Sequence, residues 1–337
     1  MTLQLDPPQV GARIKPRRRI GVVPQRFWSV IATFALLIAM FGTGASRYEG
    51  FASPQVVLNL FVDNSFLIVL AVGMTFVILT GGIDLSVGAV VALSTMIAAS
   101  TLRAGWPALA TVVAVLLVGT VLGLLMGLVI HYFEIQPFIV TLAGMFLARG
   151  LCYVVSVDSI PITNGSFQKV AQGTVPLPGG LFVTPAVLIA LVVVGIGMYV
   201  LHQTRFGRTV YAVGGSEQSA TLMGLPAARV KVGVYVISGF CSSLAGLLFS
   251  VYSLSGYSLA AVGMELDAIA AVVIGGTLLT GGSGLVIGSM LGVLVLGTIQ
   301  TFISFDGTLS SWWTRITIGL LVLVFVVVQR LFSRGPR

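Results

Sequence analysis

Residues 71–93 read AVGMTFVILTGGIDLSVGAVVAL, and this stretch decides the fold class. Two apolar runs flank a turn at Gly81 and Gly82, and the acidic residue Asp84 stands directly before the second run. A carboxylate in this position can accept hydrogen bonds from the free N–H groups at the start of a helix. The stretch therefore predicts two apolar helices joined by a tight turn, with Asp84 as a cap.

The composition of the whole chain extends this prediction to a membrane. Of the 337 residues, 57% are hydrophobic and only 8% are charged, whereas about a quarter of the residues in a soluble domain carry charge. The 18 basic and 10 acidic residues are too few to cover a soluble surface. They also form no basic stripe with interleaved aromatic residues. The composition excludes a soluble enzyme, a disordered chain and a nucleic-acid partner, and it indicates a polytopic protein in contact with membrane lipid.

The expected fold is all-α, a transmembrane bundle of about ten helices over residues 27–332. A basic tail, residues 1–26, precedes the bundle, and a short tail, residues 333–337, follows it. Both tails and the basic loop 202–231 fall on the cytoplasmic side if the positive-inside rule holds. The ten predicted spans are 27–44, 56–80, 85–102, 106–130, 135–156, 181–201, 232–253, 268–282, 285–304 and 315–332.

Glycine patterns add two predictions. Gly119, Gly123 and Gly127 share one helical face, as do Gly284, Gly288 and Gly292; each face favours tight packing within the bundle or a dimer surface. In addition, LTGGIDLSVG at 79–88 and LTGGSGLVIG at 279–288 match at six of ten positions. This repeat indicates either the duplicated halves of a transport protein or two similar Gly-Gly turns.

Motifs of soluble chemistry are absent from the sequence. No G-x-x-x-x-G-K-[ST] stretch can cradle phosphates, and the two histidines, His131 and His202, form no metal motif. Cys152 and Cys241 lie in apolar runs and are expected to pack as small hydrophobic side chains. We therefore expect no cofactor and no metal in this chain, and no enzymatic activity of its own.

One basic residue lies inside an expected span. Arg149 is roughly 21 Å from the inner end of its span and Asp63 is roughly 25 Å from the inner end of another, so the two share one depth. Buried membrane charges pair with each other or line a polar cavity. The expected neighbour of Arg149 is Asp63 or Asn64, and the alternative is that Arg149 reaches the outer interface.

The loop 202–231 is the longest polar segment between spans. Gly214 and Gly215 break the chain, Ser216 can cap a short helix, and Glu217 lies in its first turn. The helix is expected to end at Gly224, with Ala220 and Met223 as its apolar anchor and Leu225 as a further candidate. Two turns of helix are unstable alone, so the segment is interpreted as a docking element or as a solvated connector.

Three segments resemble one known family. GGIDLSVGAVVAL at 81–93, RFGRTVYAVGGSEQSATLMGL at 205–225 and ELDAIAAVVIGGTLLTGG at 265–282 are similar to the membrane permeases of bacterial sugar ABC importers of the ribose and xylose group. The resemblance covers about residues 50–330. FDGTLSSWWTRITIG at 305–319 and SIPI at 159–162 resemble the permeases of galactofuranose importers most.

The resemblance implies an inner-membrane subunit that moves a sugar by alternating access. Its implied partners are a cytoplasmic ATPase that binds the ATP, a second permease and a periplasmic sugar-binding protein. A secondary transporter driven by an ion gradient is the alternative. The implied ATPase-coupling residues are Gly214, Gly215, Ser216, Glu217, Ala220, Met223 and Gly224. The substrate-path candidates are Asn59, Asp63, Asn64, Arg149, Tyr153 and Tyr257. Glu265, Asp267 and Asp306 are candidates for docking the binding protein.

Overall fold

The computed structural model describes residues 25–308 and 312–333, so most of the tail 1–26 and of the tail 333–337 lies outside the described residues. This part of the chain is 76% helix and 3% strand, which confirms the all-α prediction. Its helices are α1 Gln25–Arg47, α2 Pro54–Asp63, α3 Ser65–Leu79, α4 Val87–Arg103, α5 Ala108–Tyr132, α6 Pro137–Val155, α7 Gly165–Gln172, α8 Pro185–Gln203, α9 Arg205–Gly215, α10 Glu217–Leu222, α11 Ala227–Ser253, α12 Met264–Ile274, α13 Val286–Asp306 and α14 Trp312–Ser333.

Four short strands form two small antiparallel sheets. The strands are β1 Ile160–Pro161, β2 Val175–Leu177, β3 Leu181–Val183 and β4 Ser255–Gly256. Strand β1 pairs with β4, with Ile160 opposite Gly256, and β2 pairs with β3 in a hairpin. The first sheet ties the segment after α6 to the segment after α11.

Six of these helices are long and apolar enough to cross a membrane, so the number ten is not confirmed. They are α1 from Ser29 onward, α5, α6, α8, α11 and α13. Helices α2 and α3 meet at a bend of 57°. They make a seventh span if the bent pair is taken as one. The remaining predicted spans contain α4, α12 and α14; α4 and the part Trp312–Val327 of α14 are apolar but shorter than 18 residues.

Helix α11 lies at the centre of the bundle and packs on α3, α4 and α5. The glycine row of α5 faces it: a Cβ on Gly123 would lie 2.2 Å from the carbonyl oxygen of Tyr235. In the second glycine row, a Cβ on Gly292 would lie 1.9 Å from the carbonyl oxygen of Ala271 in α12. Both rows therefore pack inside the bundle, and neither is a dimer surface.

The bundle has two ends, which we name by their landmarks. At the α10 end, Ser29 of α1 lies against Gly276. At the opposite Asp306 end, the hydroxyl of Tyr48, just after α1, donates to Asp306 at 2.8 Å. Helix α1 therefore runs through the bundle from one end to the other.

Helix α12 begins inside the bundle, which corrects the predicted span 268–282. The segment between α11 and α12 returns along α4: Gly256 lies against Thr95, and Ala261 lies against Gly88. Helix α12 starts at this depth and has 11 residues. It is about 16 Å long, half of the roughly 30 Å that a full span needs. The irregular segment before it lies against α4, and β1 pairs with its first residues.

Candidate functional site

Three Gly-Gly segments meet at the α10 end. The N–H of Gly282 donates to the carbonyl oxygen of Leu79 at 2.9 Å, which joins the two copies of the repeated turn. The last turn of α9 lies on both copies: a Cβ on Gly214 would lie 1.8 Å from the oxygen of Leu79 and 2.5 Å from the nitrogen of Gly282. Gly81 and Gly281 have positive φ angles of 79° and 83°, which favour glycine. The repeat is therefore a point of contact between two parts of the bundle and the loop helices.

Helix α10 follows this contact and matches the predicted short helix. The Ser216 hydroxyl accepts from the N–H of Ser219 at 3.2 Å, as expected of an N-cap. Glu217 pairs with Lys231 of α11 at 2.6 Å, and Ala220 is fully buried. The cap, the ion pair and Ala220 together brace a helix that is too short to be stable alone.

The predicted apolar anchor is right for Ala220 and for Leu225, which packs against the core, but wrong for Met223. Met223 is 68% exposed, so it does not anchor the helix, and its neighbour Leu222 is 88% exposed. Gly224 ends the segment with a φ angle of 74°, as predicted. The surface of α10 thus presents two large apolar side chains to the outside of the chain.

Asp84 is 1% exposed and accepts three hydrogen bonds. Its Oδ1 accepts from the N–H and the hydroxyl of Ser86, the residue before α4, at 2.9 and 2.6 Å. Its Oδ2 accepts from the Ser238 hydroxyl of α11 at 2.7 Å. The predicted cap is wrong, because Ser86 itself precedes α4 and Asp84 accepts no bond from an N–H of that helix. The link to α11 was not predicted. Asp84 therefore fixes the turn 80–86 to the central helix.

The predicted pairing of Arg149 with Asp63 or Asn64 is wrong. Nη1 of Arg149 donates to the carbonyl oxygens of Ser258 and Ala260 at 2.6 and 2.8 Å. Asp63 lies elsewhere, 3.4 Å from the hydroxyl of Tyr252. Two residues at the same depth on different helices do not have to face each other. The irregular segment before α12 supplies the carbonyl oxygens that stabilise the charge of Arg149.

The other substrate-path candidates do not form one cluster. Asn59 accepts from Gln55 at 2.9 Å, and Asn64 is buried at the bend between α2 and α3, where it donates to Leu60. Tyr153 and Tyr257 are exposed. Tyr257 lies in the segment before α12, next to the carbonyl groups that Arg149 contacts. The candidates thus divide between the α2–α3 bend and the surroundings of Arg149.

The three docking candidates have different surroundings. The carboxylate of Glu265 lies over Gly88 at the start of α4, inside the bundle and not on an outer loop. Asp306 accepts from Tyr48 and Thr308 at the end of the bundle, and its bond raises the pKa of the Tyr48 phenol above the ordinary value. Their role in docking stays a prediction, and the position of Asp306 suits it better.

Asp267 lies in the first turn of α12 and lines a cleft that the sequence did not reveal. The cleft has a volume of about 440 Å³ and lies between α12, α13 and α14. Its other polar lining residues include Gln300, Ser304, Trp312 and Arg315. A glutamine in an expected span was the only local signal for this site, because the sequence does not show which helix faces meet.

Comparison with known proteins identifies the family. Residues 56–326 match the family described as branched-chain amino acid transport system / permease component. The inner membrane ABC transporter permease protein YjfF of Escherichia coli is 49% identical over 85% of this chain and 86% of its own length. The fructose import permease protein FruG of Bifidobacterium longum is 43% identical over 94% and 95%. The ribose import permease protein RbsC of Haemophilus influenzae is 38% identical over 90% and 94%. No solved structure is significantly similar to the chain.

The chain belongs to this permease family. It is the permease subunit of an ABC importer of the bacterial inner membrane, and such importers work with an ATPase and a substrate-binding protein. The resemblance to the ribose and xylose group seen in the sequence is confirmed.

Proposed function

We propose that this subunit moves a monosaccharide, of galactofuranose type, across the inner membrane and that a separate chain hydrolyses the ATP. The fructose and ribose permeases support a sugar cargo, as does the D-allose transport system permease protein AlsC of Escherichia coli, which is 33% identical over 91% of the chain. The galactofuranose assignment rests on the segments 305–319 and 159–162 alone. The family description names amino acids as the competing cargo class.

The observation that carries the role in ATP coupling is the surface of α10. Leu222 and Met223 are exposed on a helix that the Glu217–Lys231 pair and buried Ala220 hold against the bundle. An amphipathic helix whose apolar side chains point away from its own chain is suited to a groove in a partner. We assign that groove to the ATPase.

We further propose that the α10 end is cytoplasmic. Arg205 and Arg208 of α9 and Arg229 and Lys231 of α11 lie at this end. Basic residues beside apolar spans favour the cytoplasmic side. In this orientation ATP-driven movement of α10 reaches the two repeated turns through Gly214, and the Asp306 end meets the binding protein. A second permease, identical or different, completes the path.

The test is transport by the complete importer in proteoliposomes, with the partner ATPase inside and the binding protein outside. Labelled D-ribose, D-fructose, D-allose, D-galactose and L-leucine are supplied one at a time, with and without ATP. We expect ATP-dependent uptake of one of the sugars. Uptake of leucine alone would move the protein to the amino acid class, and uptake driven by an ion gradient without ATP would show a secondary transporter.

A further inference from the structure

The cleft beside Asp267 combines groups from three helices. Asp267 comes from α12, Gln300 and Ser304 from α13, and Trp312 and Arg315 from α14. Its volume of about 440 Å³ falls within the range of about 300–1,000 Å³ typical of small-molecule sites. These three helices meet along α12, the helix that begins inside the bundle.

The two charged residues of the cleft, Asp267 and Arg315, do not form an ion pair with each other. Among the residues that the structure describes, only Lys231 and Glu217 form an ion pair within 4.0 Å, so Asp267 and Arg315 are further apart. Arg315 makes one long bond, at 3.5 Å, to the carbonyl oxygen of Val262. Charged groups on apolar helices are costly and usually serve a substrate path. Each group therefore has hydrogen-bonding capacity left for a third party in the cleft.

A cavity on the other side of α14 gives the contrast. It has a similar volume, about 450 Å³, but its lining is mostly apolar and includes Met40, Phe302 and Trp313, with Thr43 as a polar member. Nothing in that cavity combines an acid, a base and an amide. The polar character of the Asp267 cleft is thus a property of its own residues and not of the whole helix surface.

We propose that the Asp267 cleft binds the hydroxyl groups of the sugar during its passage, an inference that rests on the proposed function. A carboxylate accepts from sugar hydroxyls, a guanidinium donates to them, and the Gln300 amide does both. A cation bound at Asp267 would be repelled by the positive charge of Arg315. An acyl chain would offer no hydrogen-bond partner to either charged group.

The test compares sugar movement with ATP hydrolysis in the complete importer. The probe is whichever of labelled D-ribose, D-fructose, D-allose or D-galactose the wild type imports. Asp267→Asn removes the charge and replaces one acceptor oxygen with a donor, and Gln300→Leu removes the whole amide. Thr43→Val is the matched change in the apolar cavity. At saturating binding protein, we expect uptake to fall about tenfold in the two cleft variants. Stimulation of ATP hydrolysis by the loaded binding protein, and the concentration that half-saturates it, should change less than about twofold.

A second measurement leaves both charges in place. Ser304→Cys puts a single accessible thiol in the cleft, because Cys152 and Cys241 are buried. A membrane-impermeant thiol reagent should label it, and the transported sugar with its binding protein should slow the labelling, whereas a thiol at Thr43→Cys should be unaffected by the sugar.

The outcomes separate the two proposals. If the wild type imports no sugar, the proposed function is wrong. If the wild type imports a sugar and both cleft variants keep normal uptake, or the sugar does not protect Ser304→Cys, the cleft assignment is wrong. A parallel fall of uptake and ATP hydrolysis would also overturn it, because that result indicates damage to helix packing or to docking.

Discussion

Replacing Gly214 with alanine is the sharpest test of how α10 communicates with the bundle. Gly214 and Gly215 are the last two residues of α9, and neither has a positive φ angle. Alanine is therefore compatible with the backbone at both positions. The difference lies in their surroundings, since a Cβ on Gly215 meets nothing within 4 Å, whereas one on Gly214 meets two backbones.

The size of the effect follows from that geometry. The new Cβ would lie 1.8 Å from the Leu79 oxygen and would have to retreat to about 3.4 Å, where ordinary contact begins. Neither the Leu79 carbonyl nor the Gly282 nitrogen is a flexible side chain, so α9 and the repeated turns must separate. Overpacking of this kind costs about 1–3 kcal/mol. A conformational equilibrium that depends on the contact would shift by about 5- to 150-fold.

The assay measures ATP-dependent sugar uptake and ATP hydrolysis in proteoliposomes that contain the complete importer. We expect Gly214→Ala to lower uptake by at least about fivefold. We expect it to bind the ATPase normally, because α10 itself is unchanged. Gly215→Ala is the matched control and should retain uptake near the wild-type level. Yield and thermal unfolding of the purified complex show whether either variant is misfolded.

Two results would refute the reasoning. Equal uptake by Gly214→Ala and Gly215→Ala would show that the contact with the repeated turns does not matter for transport. Loss of ATPase binding by Gly214→Ala would show that this residue positions α10 for docking and does not transmit its movement. Each result has a distinct readout, so neither can be confused with the other.

Three further predictions concern α10 and Arg149. Leu222→Ser should weaken ATPase binding about tenfold or more in a pull-down titration, with unchanged thermal unfolding because Leu222 is 88% exposed. Glu217→Gln should cost at most about 1 kcal/mol of stability, since exposed ion pairs contribute little. Adding Lys231→Met to that variant should cost little more; losses that add up would show that the two residues do not interact. Arg149→Ala should destabilise the protein by about 3 kcal/mol through its two carbonyl bonds, and the swap Arg149→Asp with Asp63→Arg should restore nothing.

Features written in local sequence were predictable. The short helix after Gly215 carries its own signals, namely the Ser216 cap, an acidic first turn and a terminating glycine, and the structure shows all three. The glycine rows also packed as expected, because small side chains three and four residues apart share one helical face. These signals depend on neighbours within one or two helical turns.

Features that depend on how distant segments face each other were not predictable. Arg149 shared its depth with Asp63, but only the packing of the segment before α12 shows that its partners are backbone carbonyls. The stretch 268–282 is apolar and reads as a span, yet α12 starts at Met264, because the preceding residues turn back beside α4. The cleft at Asp267 was missed for the same reason, since three helices supply its residues.

Helix α12 connects the two sites that the structure brings out. Its first turn holds Asp267 in the cleft, and residues 275–277 separate its end at Ile274 from the turn 278–282 on which Gly214 rests. It packs on α3, α13 and α14 and is only three turns long. A displacement of α10 is therefore expected to reach the cleft through a single short helix and not through the long spans. Under the proposed function, α12 would link ATP hydrolysis in a partner chain to the polar groups proposed to hold the sugar.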